Sequence, residues 1–327
     1  MRAAVRDRYG PPDVVRLEDV DQPAPVDDQV PRPRRGGVGE PRRSRRPLPE
    51  APVRPALHGP AGASHAAGSA STWPASSRRW VRTRRGSPRA TRCSPTCSPR
   101  RSARSRSTSA SPERTLETIP DGLTLEEAST LPHGAILALQ GLRLRNGRTP
   151  KPGDRVLVGG ASGSVGPFLV QIAKHYGAEV TAVARGDKLD FARSLGADHV
   201  IDYTPVDYTK TGDRYDWIVD VDAHHSLLDL RRALKPGGVY DTLGGSDTRL
   251  IQALVVGPVA SLASGKKMGL MLWWKPFHKP DVAALKELIA AGAVKPRIDR
   301  TFPLSEIVDA LRYVDEGHAR GKVVVLP

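Results

Sequence analysis

Arg155-Val156-Leu157-Val158-Gly159 runs directly into Gly160-Ala161-Ser162-Gly163-Ser164-Val165-Gly166, and this stretch decides the fold. Its first part reads as a buried strand over Arg155–Val158, and Val165–Tyr176 reads as the helix that follows. Glycines at 160, 163 and 166 let the backbone turn tightly and approach a pyrophosphate closely. The helix N-terminus adds free N–H groups and a positive dipole end. Glycine spacing alone is weak evidence, but strand, turn and helix stand here in the required order inside a βαβ unit. Gly160, Ser162, Gly163, Ser164, Val165 and Gly166 are therefore the candidate cofactor ligands of this turn.

Outward from the turn, strands and helices alternate. Glu179–Ala184, His199–Asp202, Trp217–Asp220 and Gly238–Leu243 read as strands, with helices at Lys188–Leu195 and Ser226–Leu234. That alternation predicts a doubly wound parallel sheet. Upstream, Thr124 is placed to cap a helix over Leu125–Thr130, and a second helix is expected over Ala135–Leu144. Ala3–Val5 and Val14–Leu17 read as two short strands around Tyr9-Gly10-Pro11-Pro12. The tail shows helices at Asp281–Ala291 and Leu304–Asp315 and a final strand over Lys322–Leu326.

The second strand of the unit identifies the dinucleotide. An acid at its end would bond a free ribose 2′-hydroxyl. Here Ala184 is followed by Arg185-Gly186-Asp187-Lys188, and the two cations favour a 2′-phosphate, which points to NADPH. Asp187 argues the other way.

The chain has 327 residues, which at ~100–200 residues per domain suggests about two domains. No run of about 18 apolar residues occurs, so a membrane span is excluded; the longest apolar stretch, near Leu250–Ala263, is broken by Gly257 and Pro258. The opening residues MRAAVRDRYG lack an apolar secretory core, and the expected compartment is the cytoplasm. Two cysteines, Cys93 and Cys97, make neither a disulfide framework nor a Cys-rich zinc site. His133, His175, His199, His224, His225, His278 and His318 form no spaced ligand cluster and read as surface or loop residues, so no metal is expected. Trp273-Trp274 with Phe277 reads either as the border of a substrate cleft or as packing in a core or a subunit interface.

Charge is unevenly spread. Residues 31–110 hold 19 Arg, two acids, 12 Pro and 13 Ser, and carry +17 against a chain total of +15, leaving −2 for the rest. The same window has no Lys, Asp, Asn, Gln, Ile, Phe, Tyr or Met. Such a composition cannot bury enough apolar surface to offset chain entropy, and disorder is expected there.

Several segments together resemble the medium-chain dehydrogenase/reductase family, in its zinc-independent quinone-oxidoreductase branch. They are MRAAVRDRYGPPDVVRLEDV, IPDGLTLEEASTLPHGAILALQGLR, VLVGGASGSVG, LGADHVIDY, LKPGGVY and GHARGKVVVLP. The resemblance spans residues 1–30 and 115–327. It implies an α/β fold, a Rossmann doubly wound parallel sheet plus a GroES-like β-barrel catalytic domain disrupted or disordered over about 31–111. The expected division is a GroES-like domain over 1–125, a Rossmann NADP-binding domain over 126–265 and a segment 266–327 returning to the catalytic domain. It also implies that Arg185, Lys188 and Tyr203 surround the 2′-phosphate, and that hydride passes from NADPH to an activated double bond or carbonyl without metal.

The family's barrel strands and its Asn-Pro motif are missing from residues 31–110. The genetic code supplies a reason. One base later after Val30, Pro31–Pro41 can be recoded as Leu-Val-Arg-Val-Glu-Ala-Ala-Ser-Val-Asn-Pro; an offset of two bases from Thr72 permits a run resembling the family's glycine-rich barrel segment. Tryptophan has one codon, so Trp73-Pro74 is forced to Ala and Trp80-Val81 to Gly, where the family has them. The expectation is about 80 residues out of frame, by sequencing error or in a pseudogene, with the frame restored near Pro112.

The sequence thus predicts an NADPH-dependent oxidoreductase, impaired as written, acting on a small quinone, enone or other activated carbonyl compound. No catalytic residue is assigned, and a homodimer is expected if the catalytic domain is intact. The alternative is a cofactor-binding remnant whose Arg/Ser-rich stretch, Ser98–Ser107, adheres to nucleic acid nonspecifically. Neither a specific nucleic-acid partner nor a membrane partner is expected.

Overall fold

A computed structural model describes residues 2–5, 11–20, 79–82, 88–93, 105–106, 116–276 and 278–326. The chain begins with short antiparallel strands: β1 (Arg2–Val5), β2 (Arg16–Asp19), β3 (Arg79–Arg82), β4 (Pro88–Cys93), β5 (Ser105–Arg106) and β6 (Leu116–Thr118). β1 is hydrogen-bonded between β2 and β5, and β4 between β3 and β6. Three of these strands, at residues 79–82, 88–93 and 105–106, fall inside the window expected to be disrupted or disordered over about 31–111. Antiparallel ladders form through backbone groups and do not require an alternating apolar face, and Trp80 and Val81 are strong strand formers. The remaining expectations for that window, including the recoded Asn-Pro motif, Cys97 and most of the Arg/Ser stretch, lie outside the described residues.

The first helix is α1 (Leu125–Ser129). Its start is a capping box: the Glu127 amide donates to the Thr124 hydroxyl at 3.1 Å, and the Thr124 amide donates to the Glu127 carboxylate at 2.9 Å. There follow α2 (Leu131–Gly141), β7 (Arg155–Gly159), α3 (Gly166–His175), β8 (Glu179–Ala184), α4 (Leu189–Ser194), β9 (His199–Asp202), β10 (Tyr215–Asp220), α5 (Leu227–Ala233), β11 (Leu234–Thr242), α6 (Asp247–Ser264) and β12 (Lys267–Leu270). The last elements are α7 (Lys279–Ala290), β13 (Ile298–Pro303), α8 (Ile307–Asp315) and β14 (Lys322–Leu326).

The parallel sheet is doubly wound, as expected, with strand order β12-β11-β10-β7-β8-β9. α2, α3, α4 and α7 pack on one face around Phe168, Leu169, Trp217 and Val219. α5 and α6 pack on the other around Leu157, Ile218, Leu230 and Tyr240. Trp217 and Phe168 are almost completely buried; truncating either to Ala costs about 3–5 kcal/mol. Strand order reverses between β7 and β10, so a crevice opens at their carboxyl ends.

The expected domain boundary at 265 moves. β12 pairs in parallel with β11 and completes the Rossmann sheet, and Leu285, Leu288 and Ile289 of α7 belong to the same core. The tail returns to the N-terminal strands only later, where Leu304 and Ile307 pack on Ala4. The apolar stretch near Leu250–Ala263, interrupted by Gly257 and Pro258, lies in one helix containing Pro258. Gly257 is needed there, because a Cβ would stand 2.7 Å from the Met268 carbonyl oxygen of β12. Among the described residues no helix is long and apolar enough to cross a membrane.

Candidate nucleotide-binding site

The turn after β7 sits at the point where strand order reverses. Gly160 adopts φ +71°, which side chains rarely tolerate. A Cβ on Gly166 would collide with the Gly160 carbonyl oxygen and lie 2.5 Å from Ala161 Cα, so the first turn of α3 packs backbone against backbone. At Gly163 a Cβ would meet only the Gly160 carbonyl oxygen, at 3.4 Å. The protein thus leaves Gly163 open, as a cradle for a ligand needs. The amides of Ser164 and Val165 donate to no acceptor among the described residues. Ser162 is buried, and its carbonyl accepts from the Gly321 amide at 2.9 Å.

Asp220 closes the floor of the site. It ends β10, is buried beside Gly159, and accepts from the Asp222 amide at 3.1 Å. Desolvation raises its pKa to about 6.

The other expected ligands gather at the carboxyl ends of β8 and β9. Tyr203 is half exposed and is brought beside Arg185 by the bond from its amide to the Ala184 carbonyl, 3.2 Å. Arg185 donates to both carboxylate oxygens of Asp187, at 2.6 and 3.1 Å, and this pairing holds Asp187 down at about 2. The acid read as counting against NADPH is therefore the partner of the arginine read as favouring it. Lys188 is buried and donates to the Gly317 and Ala319 carbonyls at 2.6 and 2.7 Å.

Two residues of this region are not evident from the sequence. Lys322 Nζ and the Ser164 carbonyl oxygen lie 2.9 and 2.8 Å from the point where a Cβ on Gly134 would stand. Lys322 has no carboxylate partner among the described residues, and burial pushes its ammonium down to about 8. His133 lies near it, with Trp274 edge-on at 5.3 Å between ring centroids. Burial, and then the Lys322 charge, hold the imidazole at about 4, and its Nδ1 has no hydrogen-bond partner. His133 is thus not the surface histidine expected. Others are: His199 pairs with Glu179, His224 with Asp222 and His318 with Glu316, all at the surface. GHARGKVVVLP carried the signal for Lys322, but nothing local places a C-terminal strand beside a turn roughly 160 positions earlier in the chain.

Trp273 and Trp274 pack against the core formed by α2 and α7, while Phe277 lies outside the described residues. Among the described residues no three His, Cys, Asp or Glu side chains converge as a metal site.

A doubly wound sheet with an open glycine cradle at its switch point defines a nucleotide-binding α/β protein. Residues 195–325 match the family model described as zinc-binding dehydrogenase. The chain is 36% identical over 226 residues to the mitochondrial NAD(P)H oxidoreductase RTN4IP1 of Mus musculus, covering 63% of this chain and 57% of that protein. It is 34% identical over 221 residues to the chloroplastic NADPH-dependent alkenal/one oxidoreductase of Arabidopsis thaliana, covering 66% of this chain and 50% of that one. The matches therefore span about half the length of these relatives. The structure of the quinone oxidoreductase from Coxiella burnetii superposes with a TM-score of 0.72 over 99% of this chain and 98% of that one, at 19% identity. The chain thus shares the fold of that quinone oxidoreductase structure and is similar over about two thirds of its own length to the named oxidoreductases.

Proposed function

We propose that the chain is an NADPH-binding oxidoreductase of the quinone- and enone-reducing kind, with little turnover in the sequence as it stands. The observation that carries this reading is the Gly160–Val165 cradle at the sheet's switch point, open at Gly163 and with two amides that have no acceptor among the described residues. The residues fit a dinucleotide. The turn amides and the N-terminus of α3 would hold the pyrophosphate, with Lys322 adding positive charge. Arg185 and Tyr203 would face the 2′-phosphate, the guanidinium exchanging its Asp187 carboxylate for phosphate. When bound, the cofactor supplies a hydride to an electrophilic carbon. The chain's own part is to hold the dinucleotide and keep the His133 imidazole neutral at pH 7.

Titrating NADPH and NADH against the full chain tests the reading: NADPH is expected to bind more tightly, with Arg185→Ala removing the preference. Failure of both to bind would sink it. Impairment follows from the missing barrel motifs of residues 31–110, and measurable reduction of a quinone or enone by this chain would overturn that part.

The family resemblance also supports a homodimer. Among the described residues β12 has no partner on the outer edge of the parallel sheet, and Ile251, Val255, Val259 and Leu262 on the neighbouring α6 are exposed. Cytoplasmic placement belongs to the same reading; both relatives bear organellar names, and cell fractionation decides it. The +17 segment favours a second reading, nonspecific adhesion to nucleic acid. Salt-titrated RNA binding separates that reading from nucleotide binding.

A further inference from the structure

The turn 317–321 lies between the two halves of the nucleotide site and is fastened to both. At one end the Gly321 amide donates to the Ser162 carbonyl of the glycine turn at 2.9 Å. At the other, Lys188 Nζ donates to the Gly317 and Ala319 carbonyls at 2.6 and 2.7 Å, with an Arg185 N–H at 3.5 Å from the Gly317 oxygen. A third fastening comes from β13: Asp299 accepts from the Arg320 amide at 3.1 Å and from the Tyr313 hydroxyl at 2.8 Å. Gly317 and Gly321 adopt φ +69° and +104°, which lets the turn present its carbonyls to Lys188. Lys188 is only 7% exposed, so its ammonium depends on those carbonyls for hydrogen bonds. Arg185, by contrast, holds its acid at the surface, where a phosphate can compete for it.

We propose that Lys188 is a positioning residue, which docks the turn 317–321 across the nucleotide site, and is not itself a ligand of the 2′-phosphate. The proposal rests on the nucleotide-binding reading above and reassigns one residue within it. A phosphate ligand would discriminate NADPH from NADH. A strut that shapes the whole cleft affects both alike, because the turn it holds reaches the pyrophosphate side through Ser162.

The test uses the full chain, ligand-free and with each nucleotide. Lys188→Met keeps the length of the side chain and removes the ammonium. Asp299→Ala loosens the same turn from the opposite side while keeping the Lys188 side chain and its two carbonyl acceptors. The reporter is the Gly321 amide, whose acceptor neither substitution alters, with the Leu157 amide of β7 as the control for an intact sheet. In both variants, Gly321 hydrogen exchange in the ligand-free protein is expected to accelerate roughly tenfold, as for loss of charge-assisted bonds. NADPH and NADH are expected to weaken by the same factor. Unchanged Gly321 protection in Lys188→Met, or a loss confined to NADPH, would overturn the proposal. Should Lys188→Met lose Leu157 protection as well, Asp299→Ala decides by the same criteria. Should the wild type bind neither nucleotide, the proposed function fails, while Gly321 exchange still decides whether Lys188 is a strut.

Discussion

The Gly321 amide donates to the Ser162 carbonyl oxygen at 2.9 Å, and this bond joins the entry of the last strand to the glycine turn of the first βα unit. Under the proposed reading, it ties the C-terminal strand to the nucleotide site of a Rossmann sheet whose last strand ends at Leu270. β14 continues from Gly321 into Lys322, whose amine stands beside Ser164. The tail thereby brings a positive charge to a turn that contains none.

Lys322 is expected to make nucleotide affinity pH-dependent. Its amine is a cation below about 8 and neutral above, so affinity for the dinucleotide is expected to fall as pH rises through that value. Lys322→Met should weaken binding roughly tenfold at pH 7, the effect of removing one charge-assisted hydrogen bond, and abolish the pH dependence. Fluorescence titrations of NADPH across the neutral and alkaline range check both.

Two glycines of the same turn should separate folding from binding. Gly166→Ala is expected to destabilise the fold by about 2–3 kcal/mol, because its Cβ meets Gly160 and Ala161 backbone that cannot yield. Gly163→Ala should leave stability nearly unchanged and weaken NADPH, since only the ligand side is crowded. Urea denaturation beside nucleotide titration distinguishes them.

Asp241 is a liability in the core. It lies on β11, is 3% exposed, and one carboxylate oxygen has no partner; desolvation raises its pKa well above the aspartate value. The folded state therefore holds this proton to higher pH than the unfolded chain does. Its contribution to stability is largest below the unfolded value and is lost as pH rises from there through the raised folded value. Asp241→Val should gain roughly 1–3 kcal/mol at pH 7 and remove this part of the pH dependence. Denaturant midpoints for both proteins, in mildly acidic and in mildly alkaline buffer, measure it.

If the chain self-associates through the open edge of β12 and α6, Val255→Lys with Val259→Lys should yield a monomer by light scattering without lowering stability. Both side chains are mostly exposed, so the change is tolerated by the isolated chain.

Resequencing the gene across codons 30–115 tests the displaced frame. Recovery of the Asn-Pro and glycine-rich segments would make this an intact reductase; an unshifted gene together with a purified chain carrying the Arg/Ser peptide would refute the displacement.

Local pattern was enough for much of this molecule. The order of strand, glycine turn and helix, the bounds of β8 and β9, and the Thr124 cap follow from side-chain periodicity and backbone rules that act over a few residues. Other features needed the assembled chain. β12 is four residues of weak pattern, Lys-Met-Gly-Leu, and is a strand because β11 offers it an unpaired edge. Lys188 reads as a phosphate ligand from its neighbours in sequence, yet its bonds go to carbonyls about 130 residues away. Burial of His133 and Lys322 likewise arises only where α2, the glycine turn and β14 meet. The sequence by itself determined that a dinucleotide fold would form and where its turn lies. Tertiary structure alone decided which cations are buried against carbonyls and which stay paired at the surface, because charge and burial depend on distances that no local spacing encodes.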